Sequence, residues 1–290
     1  MRVTIWGTRG SLASPGPETA RYGGNTSCVE VRDDDSRHVL ILDAGTGIRR
    51  LGASFPPVHR VDVLLTHLHM DHIQGLGFFA PLYDAAMQVH LWGPASPALA
   101  LQTRLSRYLS PPLFPVHLRD LACRLELHDV PSGEFAIGPF RVTAALICHP
   151  GPTVGYRVSC AGATMTYLSD HEPALGVASF PDAAEWTSGY ALAADADLLI
   201  HDGQYGADEY DTHVGWGHSS IEDAVRFAAL AGAKRLVTFH HDPAHTDDDL
   251  ERLHRRAIAA LQPPFPVEPA AEGAVYELGA ACPPQPTAAA

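Results

Sequence analysis

The amino-acid sequence predicts an α/β protein, with a pattern compatible with stacked sheets covered by helices. Three observations lead to this prediction. Short apolar runs typical of buried strands recur along the chain, Gly- and Pro-rich turns separate them, and two amphipathic helices follow in the second half. The 290 residues suit one α/β domain, which we expect to cover residues 1–280, followed by a disordered tail over residues 281–290.

Nine segments are predicted as strands, because each combines apolar, often β-branched residues with turn-forming residues at its ends. They are residues 3–6, 27–31, 39–42, 61–65, 141–148, 154–160, 164–168, 198–200 and 235–239. The turn Asp43-Ala-Gly-Thr-Gly47 follows the third of them and is rich in residues that tolerate a positive φ. Ala161 and Gly162 make a tight connection between the sixth and the seventh.

Two helices are predicted from their capping residues and their apolar faces. Ser219 or Ser220 caps the first, which runs to about Ala231, and acidic residues in its first turn complement the helix dipole. Thr246 caps the second, whose first turn is also acidic and whose apolar residues recur along one face through residue 261.

The charge balance of the chain is acidic, with 20 Lys and Arg residues against 33 Asp and Glu residues and a formal net charge of −13. A surface with this balance repels a phosphate backbone, so we expect no long nucleic acid among the partners. A small anionic substrate stays compatible with this charge, because bound divalent cations reverse the local field at a site.

The cysteines are scattered and form no C-x-x-C pair, which is typical of reduced thiols rather than of disulfides or a cysteine zinc site. They are Cys28, Cys123, Cys148, Cys160 and Cys282. The N-terminal residues run directly into a predicted strand, and no apolar run approaches the roughly 18 residues that span a bilayer. We therefore expect a cytoplasmic protein with no membrane partner.

A dense group of potential metal ligands follows the strand predicted at residues 61–65. His67, His69, Asp71 and His72 lie within six residues, and imidazole and carboxylate are ligand types that zinc, manganese and iron share. In an extended segment His67 and His69 point the same way, while Asp71 and His72 can face a second ion. The alternative is a surface loop that happens to be rich in histidine. Four such residues directly after an apolar strand favour metal binding.

Other predicted strands also end beside ligand-type residues. These are His149, Asp170, the pair His201 and Asp202, and the pair His240 and His241. Taken alone, each is better explained as a capping aspartate or as a histidine bonded near a turn. Side chains from several strand ends that meet at one edge build active sites in layered α/β folds. Together with residues 67–72, these residues therefore indicate one shared metal site.

These motifs resemble those of the metallo-β-lactamase superfamily. Residues 67–72 match its His-x-His-x-Asp-His signature, and Asp43, His149, Asp170 and a terminal strand-end histidine follow in the expected order. The likeness extends over nearly the whole chain. It implies the four-layer αββα sandwich of that superfamily.

Within the superfamily, three further motifs resemble the phosphodiesterase branch, which includes ribonuclease Z and the cyclic phosphodiesterases. They are Trp6-Gly-Thr-Arg-Gly-Ser11, Gly23-Gly-Asn-Thr-Ser-Cys28 and Gly217-His-Ser-Ser220. The last of these opens a predicted helix and resembles the Gly-His-Ser-Thr loop of ribonuclease Z.

The resemblance implies a full ligand set for two divalent ions, zinc first and manganese or iron as alternatives. One ion would be held by His67, His69 and His149, the other by Asp71, His72 and His240, with Asp170 as the bridge. His240 is preferred to His241 as the last ligand because it directly follows the predicted strand.

The resemblance also implies roles around the ligands. Asp71 and His218 would be the catalytic residues, with His218 as the general acid beside the leaving group. Asp43 would orient ligands without touching a metal. Asp202 is expected to lie near the ligands, and no role is assigned to it. His171 and Glu172 follow the bridging Asp170, and for them we expect hydrogen bonds at the surface.

The function implied by the resemblance is hydrolysis of a small or cyclic phosphodiester by a hydroxide that bridges two metal ions. The ligand motifs are equally compatible with a lactone, carboxylic ester or thioester hydrolase, because a hydroxide attacks carbon and phosphorus alike. The Gly217-His-Ser-Ser220 loop favours the phosphodiester. Ribonuclease Z-like RNA 3′ processing is a weaker alternative, since no basic arm for tRNA is recognisable. A non-catalytic metal-binding module is another, although it would be expected to lack ligands. A homodimer is expected from the resemblance alone.

Overall fold

The computed structural model of the chain describes residues 1–33, 38–175 and 180–279. The predicted disordered tail over residues 281–290 lies outside the described residues, as does Cys282. Two seven-stranded sheets form the centre of the described part.

The first sheet has the strand order β14-β1-β2-β3-β4-β5-β6. Its strands are β1 (Arg2–Gly7), β2 (Cys28–Arg32), β3 (Val39–Leu42), β4 (Arg60–Leu64), β5 (Gln88–Gly93), β6 (Arg124–Asp129) and β14 (Val275–Glu277). Pairing is antiparallel from β14 to β3 and parallel from β3 to β6.

The second sheet has the strand order β13-β12-β11-β10-β9-β8-β7. Its strands are β7 (Gly133–Ile137), β8 (Phe140–Leu146), β9 (Val154–Cys160), β10 (Ala163–Leu168), β11 (Leu198–Asp202), β12 (Leu236–Phe239) and β13 (Val267–Pro269). It too has an antiparallel half, from β7 to β10, and a parallel half, from β10 to β13.

Helices connect and cover the strands. The α-helices are α1 (Ile48–Ala53), α2 (Met70–Ile73), α3 (Leu101–Leu105), α4 (Tyr190–Ala193), α5 (Ala207–Tyr210), α6 (Ile221–Ala231) and α7 (Asp247–Leu261). Short 3₁₀ turns lie at Pro17–Thr19, Leu76–Phe78, Ala80–Tyr83, Leu118–Asp120 and Ala184–Trp186. The two long helices, α6 and α7, are the two that the sequence predicts. Ser220 caps α6 by accepting a hydrogen bond from Asp223 N, and Thr246 caps α7 through Asp249 N.

Three apolar clusters arrange these elements in four layers. The largest lies between the sheets and joins side chains such as Val31 of β2 and Tyr156 of β9. A second packs the outer face of the first sheet against α1 and the segments that follow β4 and β5. A third packs the outer face of the second sheet against α4 and α6. The predicted α/β class and four-layer αββα sandwich are confirmed.

Most predicted strands occur within one or two residues of their predicted bounds. The strand predicted at 141–148 stops at Leu146, because Ile147 N turns away to bond with Thr153 O at 3.1 Å. The strand predicted at 198–200 continues through Asp202. The parallel strands β4, β11 and β12 end at the same edge of the sandwich as the loops that carry the predicted ligands. Among the described residues, no helix is long and apolar enough to cross a membrane.

Candidate metal centre

The segment after β4 carries four predicted ligands, two on an extended backbone and two in a helical turn. His69 has an extended backbone, with φ −65° and ψ 153°, and serves as the N-cap of α2. His67 and His69 therefore come from the extended part, whereas Asp71 and His72 lie in the single turn of α2. This change of backbone direction separates the two pairs of side chains.

The first group of potential ligands consists of His67, His69 and His149. One ring nitrogen of each lies within 4.8 Å of the others. His149 Nε2 is 3.3 Å from His69 Nδ1. His67 is buried and His69 is exposed at the mouth of the centre. The structure thus brings together the three residues that the sequence analysis assigned to one ion.

The second group consists of Asp71, His72, Asp170 and His240, all buried. His240 Nε2 lies 3.0 Å from Asp71 Oδ2 and 3.2 Å from Asp170 Oδ2. His72 Nε2 lies 3.0 Å from Asp170 Oδ1. Asp170 Oδ2 also lies 3.8 Å from His67 Nε2 and 3.9 Å from His149 Nε2 in the first group. Asp170 therefore stands between the two groups, where a bridging ligand is expected.

The donor atoms of this centre suit divalent cations. His67 Nε2, His72 Nε2 and Asp170 Oδ1 are buried and have no hydrogen-bond partner. The 3.0 Å contact between His72 Nε2 and Asp170 Oδ1 is thus a close approach of two potential donors to a metal rather than a hydrogen bond. Burying polar atoms without partners is costly, and a cation held between them removes that cost.

The protonation states of five of these residues agree with this chemistry. His72 differs, because burial lowers its pKa but the carboxylates of Asp170, Asp71 and Asp43 outweigh burial and raise the pKa well above its usual value. Burial lowers the pKa of His67 well below its usual value and also lowers the pKa of His69 and of His149, so these rings are neutral nitrogen donors. For Asp71 and Asp170, burial raises the pKa, but the neighbouring histidines outweigh it and the pKa lies below the usual range. Neutral imidazole and ionised carboxylate are the forms in which these groups bind metals.

Asp43 lies behind this centre, where its carboxylate contacts His72. Its Oδ2 lies 2.8 Å from His72 Nδ1 and accepts a hydrogen bond from Tyr167 Oη at 2.9 Å. Its Oδ1 accepts from Thr66 N at 2.8 Å. Asp43 itself has a φ of 62°, the conformation that its turn was predicted to tolerate. The bond to Nδ1 leaves His72 Nε2 directed at the carboxylates of the centre.

Two other ligand rings are fixed in the same manner. Gly217 O lies 2.9 Å from His149 Nδ1, and Gln204 Oε1 lies 2.9 Å from His240 Nδ1. In each case the contact occupies Nδ1 and leaves Nε2 for the centre. Ser11 N donates to Asp71 Oδ2 at 2.8 Å, which places the loop of the Trp6–Ser11 motif against the same site. Gln204 is not predictable as part of this site, since an isolated glutamine gives no local signal in the sequence.

The two adjacent histidines after β12 separate completely. His240 reaches the centre, whereas His241 Nε2 donates to Ala270 O at 2.9 Å and lies outside both groups. His240 has a φ of 60°, and this left-handed backbone turns the two side chains apart. The geometry agrees with the preference for His240 as the last ligand.

His218 lies beside both groups and is held by Asp202. Its Nδ1 is 2.7 Å from Asp202 Oδ2, and its ring centroid is 5.1 Å from that of His149 and 4.9 Å from that of His240. Burial lowers the pKa of His218, but the Asp202 carboxylate outweighs this and raises it to about 9. Asp202 also accepts a hydrogen bond from Ser219 N at 3.0 Å and so fixes the start of α6.

His171 and Glu172 do not lie at the surface, and the expectation for them was wrong. Both are buried, because the chain after β10 turns inward beneath α6, where His171 packs against Phe227. His171 Nδ1 lies 2.9 Å from His201 Nε2. Glu172 bonds to the loop that precedes His218.

Gly217→Ala is expected to weaken metal binding, whereas Gly162→Ala is not. Both glycines have a positive φ, +89° and +81°, so both alanines cost roughly 1–2 kcal/mol of backbone strain. Only at residue 217 would the new Cβ collide with His149 and Pro150, since nothing lies near Gly162. Chelator competition should show zinc affinity about 10–100-fold lower for Gly217→Ala alone. Equal affinities in the two variants would contradict the ligand role of His149.

Comparison with known proteins identifies the family of the chain. The sequence model of the family described as "Beta-lactamase superfamily domain" matches residues 37–241. The chain belongs to this superfamily. The matched range includes every residue of the two groups of potential ligands, from His67 to His240.

Similar proteins agree with this membership. A protein named Ribonuclease BN from Cronobacter sakazakii is 26% identical, and the alignment covers 94% of this chain and 98% of that protein. The crystal structure of the metallo-beta-lactamase fold protein YhfI from Bacillus subtilis aligns with a TM-score of 0.68 at 22% identity, covering 95% of this chain and 98% of YhfI. The structure of a diphosphatase from the PhnP family aligns with a TM-score of 0.68 at 18% identity, covering 95% and 97%. This chain thus has the metallo-β-lactamase fold and is a hydrolase of that family. Its His and Asp clusters suit divalent metal ions.

Proposed function

We propose that this hydrolase is a phosphodiesterase that acts on a small or cyclic phosphodiester and uses two divalent cations, zinc in the first place. The observation that supports this most directly is His218, whose ring lies against His149 and His240 and is bonded to Asp202. An imidazole in this position can donate a proton to an alkoxide oxygen that leaves phosphorus. The names of the ribonuclease and the diphosphatase also refer to cleavage at phosphorus.

In the proposal, the two groups hold one cation each. His67, His69 and His149 would hold the first, Asp71, His72 and His240 the second, and Asp170 would bridge them. Such a pair of cations supplies a water of lowered pKa and neutralises charge on the phosphoryl oxygens.

Residues of the chain orient the ligand rings and donate a proton to the leaving oxygen. Asp43, Gly217 O and Gln204 fix the rings of His72, His149 and His240, so that each Nε2 faces the centre. Asp202 occupies Nδ1 of His218, which leaves Nε2 as the donor toward the leaving oxygen. A proton held at that atom is needed most when the leaving group is a basic alkoxide.

The space beside the centre suits a small substrate. A cavity of about 500 Å³ is lined by His67 and His69 and also by Arg107, Tyr108 and Leu113. This volume is within the usual range for small-molecule sites. Arg104 and Arg107 both belong to this lining and bring positive charge to it. The net charge of −13 disfavours a long RNA, so an RNA 3′ end is the weaker alternative within the same chemistry.

A lactone or carboxylic ester hydrolase is the second candidate. It is favoured by the apolar side chains of Leu68, Met70 and Ile73, which line the same cavity and offer no charge to a phosphate. The same ligand groups would serve this reaction, because an attacking water of lowered pKa reacts with carbonyl carbon as well.

A metal-reconstituted hydrolysis assay separates these candidates. Chelator-stripped protein refilled with Zn²⁺ or Mn²⁺ is given bis-nitrophenyl phosphate, 3′,5′-cyclic AMP, an RNA with a 3′ extension and a simple lactone. We expect phosphodiester cleavage that is lost in the stripped protein. Cleavage of the lactone alone would move the protein to the second candidate, and cleavage of the RNA alone would contradict the proposed small substrate.

A further inference from the structure

Glu172 is a buried carboxylate that the proposed reaction has not yet used. Glu172 lies two residues after Asp170 in the sequence and is 1% exposed. Glu172 N donates to Cys148 O at 3.0 Å, which ties it to the residue before His149. A buried carboxylate is costly unless donors surround it, so its partners define its role.

The partners of the Glu172 carboxylate all belong to the segment that leads to His218. Oε1 accepts hydrogen bonds from Tyr210 Oη at 2.7 Å and from Gly215 N at 2.8 Å. Oε2 accepts from Gly217 N at 2.8 Å and from Gly215 N at 3.1 Å. The two glycines have φ values of +87° and +89°, and this backbone turns both amides toward one carboxylate.

The loop that Glu172 holds is otherwise weakly packed. Val214 and Trp216, on either side of Gly215, are 50% and 60% exposed and contribute little buried apolar surface. The Gly217 peptide connects directly to the centre, because its N–H donates to Glu172 while its O contacts His149 Nδ1. The next residue along the chain is His218. The position of the His218 backbone therefore depends on the carboxylate of Glu172 on the N-terminal side, as it depends on Asp202, which binds Ser219 N, on the C-terminal side.

We propose that Glu172 is a positioning residue that fixes the Gly215–Gly217 backbone and thereby sets His218 against the metal centre. This inference rests on the proposed function of His218 as proton donor. Glu172 does not itself touch the substrate or the ligand groups. Replacing it with glutamine keeps its size but turns an amide N–H₂ toward backbone N–H groups, which leaves at least one of them without an acceptor.

The first test measures the loop without any substrate. Hydrogen exchange at the Gly215 and Gly217 amides of the full chain is compared between the wild type and Glu172→Gln. We expect protection in the wild type and exchange at least about tenfold faster in the variant, since the acceptor of both amides is altered. Equal exchange in the two proteins would overturn the role of Glu172 as the anchor, whatever the enzyme hydrolyses.

The second test is a double-mutant cycle on phosphodiester turnover. Glu172→Gln alone should lower kcat about 10–100-fold through misplacement of His218, measured at saturating Zn²⁺ because the Gly217 peptide also contacts His149. In a His218→Ala background the same substitution should have little further effect, because the group it positions is already absent. Full additivity of the two losses at saturating Zn²⁺ would overturn the inference.

Glu222→Gln is the matched control. Glu222 is also buried, 7% exposed, and accepts a hydrogen bond from a backbone amide, Ala207 N at 3.1 Å, but it makes no contact with the loop. The kcat of the Glu222→Gln variant should stay near that of the wild type. If the wild type cleaves no phosphodiester, the proposed function fails, while the exchange experiment still decides whether Glu172 anchors the loop.

Discussion

Replacing Asp170 with asparagine should abolish metal-dependent phosphodiester hydrolysis and reduce the amount of bound metal. Asp170 approaches His72 through Oδ1 and His240, His67 and His149 through Oδ2. An amide has the same shape but lacks the charge that two neighbouring cations require. Metal ions supply several kcal/mol to such a reaction, and each 1.36 kcal/mol is tenfold in rate, so the loss should be about 10³-fold or more. Metal content by mass spectrometry and turnover of bis-nitrophenyl phosphate measure it.

The control for this variant is Asp120→Asn, which removes the same charge from the surface. Asp120 is 54% exposed and has only a loose ion pair with the exposed Arg119 at 3.7 Å. It should keep full metal content and turnover. An Asp170→Asn enzyme that kept two metals and a rate within about tenfold of the wild type would refute the bridging assignment.

His218→Ala should leave the metals in place and remove most of the turnover. His218 makes its polar contact with Asp202 and lies beside the ligand rings without being needed to hold them. Loss of a general acid costs about 10²–10⁴-fold. The loss should be larger for 3′,5′-cyclic AMP, whose leaving group is a basic alkoxide, than for bis-nitrophenyl phosphate, whose nitrophenolate leaves without a proton.

This dependence on the leaving group separates proton donation from simple disruption. A structural defect would slow both substrates by the same factor, and that outcome would rule out the acid role. His59→Ala controls for the loss of an imidazole, because His59 is exposed and only its backbone oxygen is bonded, to Gln88 N. Unchanged turnover by His218→Ala would remove the main support for a phosphodiester substrate.

Most buried strands of the fold are predictable from the sequence, whereas the buried strand β5 and the edge strands are not. All four residues of β3 are buried, so its apolar run indicates a strand without further context. β6 at the edge of the first sheet is charged and only partly buried, and β13 and β14 have three residues each. Such strands exist because a neighbour offers hydrogen-bond partners, and their own residues do not record that pairing.

The candidate site shows the same division between local and distant information. His67, His69, Asp71 and His72 are predictable because they lie close together in the sequence and follow a strand. The choice of Ser220 over Ser219 as the cap of α6 is not, since two adjacent serines carry the same local signal and only the contact of Ser219 N with Asp202 separates them. Glu172 was placed at the surface by its polarity, because its partners are some forty residues further along the chain.

The carboxylate of Asp43 has a consequence for how the molecule holds together. It accepts hydrogen bonds from Thr66, beyond the end of β4 in the first sheet, and from Tyr167 on β10 in the second. The two ligand groups likewise draw on both halves of the chain. Neither half alone contains a complete set of donors, so full coordination of a cation requires the two sheets to be docked. By mass action, a bound cation would favour the docked sandwich over its separated halves, so metal occupancy and the cooperativity of unfolding would be linked.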